Sequence, residues 1–137
     1  LTLQLSDAVV STVDAPFAPP PVIVLDLPAP ISVNKLRRVD WLGNRRSKTW
    51  RIKAEPLVHW SHSKRRGQPK CMTTPAEILI VLADRCNLDP DNGIKMILDY
   101  LVLIEVIQDD SKRFVRRVIV EYGDAPEGCR VHVRGLA

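Results

Sequence analysis

The run Ile78-Leu79-Ile80-Val81-Leu82-Ala83 constrains the fold more than any other part of this chain. It is too short for a membrane span, which takes about 20 apolar residues, and it has no polar face for a surface helix. A run that is apolar on both alternating faces fits a central strand of a sheet. Such a strand needs neighbours. Val22-Ile23-Val24-Leu25-Asp26-Leu27 is a β-branched run stopped by Pro28 and Pro30 and reads as one. Arg113 to Tyr122 reads as another, and Cys129, Val131 and Val133 alternate with Arg130, His132 and Arg134 in a final, half-buried strand. His132 is expected on its exposed face. Two helical patterns lie between the strands. Ser47 can cap a helix reaching about His62, with Trp50, Ala54, Leu57 and Val58 on its apolar face and Pro56 expected to kink or interrupt it. Asp91 or Asn92 can cap a second, with Ile94, Ile97, Leu98, Leu101 and Val102 as its buried stripe. The order β-α-β-α-β-β predicts an α+β fold: a single small domain with a mixed β-sheet packed by two main helices.

A chain of 137 residues suits one such domain and can bury a core without staples. Residues 1–21 contain no Lys or Arg and end in Pro16, Pro19, Pro20 and Pro21, so they read as a loosely ordered arm before a domain over 22–137. Residues 31–46 and 63–75 read as a basic and a polar loop. No apolar run approaches a membrane span and no signal-peptide pattern is seen, so the expected setting is cytoplasmic, without membrane contact. Three cysteines, Cys71, Cys86 and Cys129, form no close pair and argue against a disulfide framework.

The charge is unevenly placed. Between Lys35 and Lys70 there are twelve Lys or Arg against two acids, a net +10, while the remaining residues hold eight against fourteen, a net −6. Such a segment suits a polyanion such as the phosphate backbone. Lys35, Arg37, Arg38, Arg45, Arg46, Lys64, Arg65 and Arg66 are the expected DNA contacts. Trp41, among these basic residues, could stack on a base or pack in the core.

The acidic counterpart is Asp89-Pro90-Asp91-Asn92, followed by Lys95 and then by Asp109-Asp110. Residues two apart in an extended stretch share a side, so Asp89 and Asp91 can approach one cation together. Carboxylate oxygens suit Mg²⁺ or Mn²⁺ rather than zinc. Lys95, in the first turn of the second helix, is placed to meet a phosphate beside that cation. Asp110 can reach the same place, from its own chain or from a partner subunit. The same residues also make a plain turn and helix cap followed by a solvated acidic pair. His59, His62 and Cys71 lack the tight pairing of a structural zinc site.

The pattern Asp89-Pro90-Asp91-Asn92-Gly93-Ile94-Lys95, the later pair Asp109-Asp110 and the early turn Pro30-Ile31-Ser32-Val33-Asn34 together resemble the RusA family of Holliday junction resolvases. The resemblance covers about residues 22–134. It implies a bacterial or phage-encoded, dimeric, Mg²⁺-dependent endodeoxyribonuclease that resolves four-way junctions by paired symmetric nicks in DNA recombination and repair. It assigns the metal to Asp89, Asp91 and Asp110, and a catalytic or phosphate-contacting role to Lys95. The chain departs from the family before the first aspartate, where an arginine run can stand and Arg85-Cys86-Asn87-Leu88 is found here. Two alternatives share the fold: a non-catalytic DNA-binding module, and a metal nuclease acting on flaps or forks. A homodimer is expected, its two-fold axis matching that of the junction, with the stripe around Leu98–Ile104 serving both core and interface.

Overall fold

The computed structural model describes residues 20–31, 45–86 and 93–136. The expected order of elements is found: β1 (Val22–Pro28), α1 (Arg45–Lys64), β2 (Ala76–Ala83), α2 (Ile94–Leu103), β3 (Val115–Gly123) and β4 (Gly128–Gly135). The four strands form one sheet in the order β1-β4-β2-β3. β2 and β3 pair parallel, while β4 pairs antiparallel with both β1 and β2, so the sheet is mixed. The domain is thus a small α+β fold with two helices. Residues 1–19 of the expected arm, the segment 32–44 and the segment 87–92 lie outside the described residues. Pro21 is tied to the sheet, its carbonyl accepting from Gly135 N–H at 2.8 Å.

The strand that comes last in the chain lies inside the sheet rather than at its margin. β4 enters between β1 and β2, which makes both β2 and β4 interior. To reach that position the chain leaves the edge strand β3 and crosses the end of β2 through residues 124–127. Ala125 is buried there against Val81 and Ala83. Gly128 then begins β4 at φ +119°, with Ala29 N only 2.5 Å from where a Cβ would stand, so no side chain fits this position.

One face of the sheet carries the core. Ile23, Leu25 and Leu27 of β1, Ile78, Ile80 and Leu82 of β2, and Val131 and Val133 of β4 alternate onto it. The helices close over them. From α1 come Trp50 and Ala54, and from α2 Met96, Ile97, Tyr100 and Leu101. Trp50 and Tyr100 meet edge to face at 4.8 Å between centroids, and Trp50 Nε1–H donates to Ala29 O at 2.9 Å, joining both helices to the end of β1. The stripe of α2 therefore differs from expectation. Met96 and Tyr100 are fully buried, whereas Ile94, Leu98 and Val102 are only partly so. The whole helix is turned toward Trp50, a contact that periodicity within α2 does not encode.

Both helix starts also differ. α1 begins at Arg45, two residues before the expected cap Ser47, which is buried within the first turn. α2 starts after Gly93, which makes no side-chain cap bond; Asp91 and Asn92 lie outside the described residues. Pro56 does not interrupt α1, which is assigned helical throughout its 20 residues. A proline removes the bond to the carbonyl four residues earlier, here Ile52. Ile52 and Pro56 both face solvent, so water can take up that carbonyl.

Candidate functional site

Lys95 is the second residue of α2, and residues 104–110 double back along the helix to meet it. The reversal is a Schellman turn. Val106 N–H donates to Leu101 O at 2.9 Å and Glu105 N–H to Val102 O at 3.1 Å, with Glu105 in the left-handed region at φ 63°. Leu101 and Val106 are both buried in the core, the apolar contact that usually accompanies this turn. Met72 N–H then fixes the returning segment through Val106 O at 2.7 Å.

The result is a compact ion cluster. Lys95 Nζ donates to Asp110 Oδ2 at 2.9 Å and lies 3.0 Å from Asp99 Oδ1. Asp110 and Asp99 are partly shielded, while the lysine side chain is 67% exposed. The bonds to Asp110 and Asp99 raise the Lys95 pKa above its usual value, so the ammonium keeps its charge through the neutral range. The reach of Asp110 to the first turn of α2 therefore lies within one chain. Asp99 also belongs to the cluster; its spacing of four from Lys95 on a helix was the available signal. Asp89 and Asp91 lie outside the described residues. Among the described residues no three His, Cys, Asp or Glu side chains gather as a metal group.

The expected DNA contacts divide. Lys35, Arg37 and Arg38, with Trp41, lie outside the described residues, and Arg45 opens α1 with its side chain outside them. Arg46 and Arg66 are exposed. Lys64 and Arg65 are engaged by an acid that the sequence reading passed over. Asp26 on β1 is 2% exposed, with Arg130 Nε at 2.7 Å, Arg65 at 3.6 Å and Lys64 at 3.9 Å. Its visible signal was a carboxylate in the middle of an apolar strand, which needs partners when buried. Arg130 stands directly opposite it on β4, and across the sheet Glu77 is flanked in the same way by Arg117 and Arg134 at 3.4 Å and 3.1 Å. These cross-strand pairs occupy the face away from the helices. His132 is half-buried there on an interior strand rather than exposed on a terminal one. Burial first, then Arg130 and Arg65, hold its imidazole below the ordinary pKa of 6.5.

The free edge of β1 is covered by side chains. Asp26 N–H donates to Ser61 Oγ at 2.8 Å, and that hydroxyl donates to Leu57 O at 2.8 Å. Gln68 pairs with Val24 as a strand would: Val24 N–H donates to Oε1 at 2.9 Å and Nε2 donates to Val24 O at 3.1 Å. This fixes the orientation of the amide. Its second Nε2 hydrogen must then point to His62 Nδ1, 3.0 Å away. Nδ1 accepts, so neutral His62 carries its proton on Nε2. Cys129 is inert as a thiol, burial chiefly pushing its pKa up to about 12.

The sequence matches no protein-family model and no curated protein. Fold and geometry therefore describe a small α+β domain with a lysine held between two carboxylates at one helix start. Among the described residues no helix is long and apolar enough to cross a membrane.

Proposed function

We propose that this protein is a RusA-like, divalent-metal-dependent endodeoxyribonuclease that resolves four-way DNA junctions. The supporting observation is the meeting of Lys95 Nζ and Asp110 Oδ2 at 2.9 Å, which joins the lysine of the Asp-x-Asp-Asn-x-x-Lys pattern to the second member of the later Asp-Asp pair. In this reading the donors Asp89, Asp91 and Asp110 are all carboxylates, a set that fits Mg²⁺ or Mn²⁺. When bound, such an ion supplies an acidified water and draws charge from the phosphate. The chain's own groups do the rest. Lys95 presents a fixed positive charge to the non-bridging phosphate oxygens, and Asp99 with Asp110 holds the ammonium in place, so little reorganisation is needed at the moment of reaction. Arg46 and Arg66, with the basic residues of 35–45, would track the DNA arms.

Two coordinated cuts call for two copies. A groove of about 450 Å³ between α1 and α2 is lined by Ile52, Tyr100, Leu103 and Ile104, with Lys48, Arg51 and Glu55 around it. Ile52 and Leu103 are 72% and 44% exposed, and mixed charge beside an apolar patch suits a self-complementary contact. This groove is the proposed dimer face.

Incubation of the protein with a synthetic four-way junction and Mg²⁺ tests the reading. Paired symmetric nicks are expected. Cutting confined to flaps or forks would replace the substrate, and tight binding without any cutting would replace the enzyme by a DNA-binding module.

A further inference from the structure

A cleft of about 390 Å³ opens between the last turns of α1, the loop at Lys70 and the turn after α2. Its polar walls are His59, His62, Ser63 and Lys70, and Val58, Ile104 and Val106 complete it. Among the described residues no carboxylate lines it, and none of its lining residues belongs to the Lys95 cluster. Each polar side chain can donate a hydrogen bond. For His62 the donor is defined, because Gln68 occupies Nδ1 and leaves the proton on Nε2. The imidazole is kept below its ordinary pKa by burial, then by the positive charges of Lys70 and His59. These three groups therefore repel one another when charged, and an anion among them would relieve all three. The C-terminal end of α1 opposes an anion with roughly half a negative charge. Lys70 alone exceeds this with a full positive charge, and the Ser61 carbonyl of that last turn is already taken by Arg65 N–H at 3.2 Å.

We propose that this cleft is a phosphate site, in which His62 Nε2–H, the Ser63 hydroxyl and the Lys70 ammonium hold a backbone phosphodiester of the bound DNA away from the point of cutting. That the phosphate belongs to DNA rests on the function proposed above; the affinity for a phosphate oxyanion does not.

Two measurements test it. Titration with inorganic phosphate, followed by NMR, should shift the ring signals of His62 and leave those of His132 in place. The shift should vanish in Lys70→Glu, an exposed substitution that leaves the fold intact, as a circular dichroism melt would verify. Unmoved His62 signals would overturn the cleft as an anion site. Junction affinity measured across salt concentrations should then fall in Lys70→Glu, with the slope of log affinity against log salt flatter by about 0.9 for one lost phosphate contact. A phosphate-responsive His62 with an unchanged junction slope would overturn the DNA assignment and leave a site for small phosphates. Junction cutting is read separately. A wild-type protein that binds junctions but never cuts them would sink the nuclease reading alone, because this site is read from the His62 shift and the Lys70→Glu slope.

Discussion

Asp26 shows what a single residue can cost and how that cost is met. Desolvating a carboxylate costs several kcal/mol, and only close, well-directed partners offset it. Arg130 at 2.7 Å is the strong one, with Arg65 and Lys64 more distant. Arg130→Met should therefore destabilise the fold by about 3 kcal/mol in urea unfolding, because it strands a buried charge. Adding Asp26→Leu to it should recover much of that loss, and a purely additive double variant would show that the pair is not coupled. Asp110 belongs to the other kind of site. It is partly exposed and paired to an exposed lysine, so its contribution to stability is small, about 0–1 kcal/mol. Asp110→Asn should leave the melting temperature nearly unchanged and junction binding intact, while junction cutting is lost; cutting at the full rate would remove Asp110 from the mechanism. The two histidines set a pH dependence. His62 and His132 both have pKa values lowered from 6.5, so the unfolded chain binds more protons just below that pH. Their contribution is fully present above pH 6.5 and is lost as pH falls through the lowered values. A melting temperature that drops between neutral pH and about pH 5, with a smaller drop in His132→Phe, is the expected result.

At the scale of elements, both helices carry a local misfit that the tertiary structure overrides. Pro56 sits in the middle of α1, where a proline costs about 3 kcal/mol relative to alanine. The helix survives because Trp50 and Ala54 anchor one face while Ile52 and Pro56 face water. Pro56→Ala should stabilise the domain by about 1–3 kcal/mol. The turn after α2 holds Glu105 at φ 63°, a conformation that disfavours a Cβ by roughly 1–2 kcal/mol. Glu105→Gly should be neutral or stabilising by up to about 1 kcal/mol, and Glu105→Val clearly destabilising. If glycine and valine behaved alike in urea unfolding, the turn would not require a left-handed residue. The matter bears on the site, since this turn sends Asp110 back to Lys95.

For the whole molecule, the sheet presents two unlike faces. One is filled by the helices. The other bears the ion pairs of Glu77 and Asp26 and the small cluster of Val81, Ala83 and Ala125. Charge laid directly across neighbouring strands discourages edge or face association there. The exposed Ile52 of α1 and Leu103 of α2 lie on the surface proposed above for a second copy. Ile52→Lys combined with Leu103→Asp should convert a dimer to a monomer in light scattering, with the circular dichroism spectrum unchanged. A wild-type protein that stays monomeric with and without junction DNA would dispose of the proposed interface.

The sequence by itself determined the elements. Continuous apolar runs, alternation and 3.6-residue stripes gave all six in order, because each is a local pattern of one strand or helix against a core. It also placed Lys95 in the first turn of α2. The order of strands in the sheet, the burial of Met96 and Tyr100, the salt bridges of Asp26 and the tautomer of His62 were not legible. Arg130 meets Asp26 across 104 residues, and Gln68 meets Val24 across 44. Such contacts depend on which strand inserts beside which, and on the direction in which α2 is turned by Trp50. Neither is a property of any short window. Only the folded chain, closing its long loops around one core, decides them.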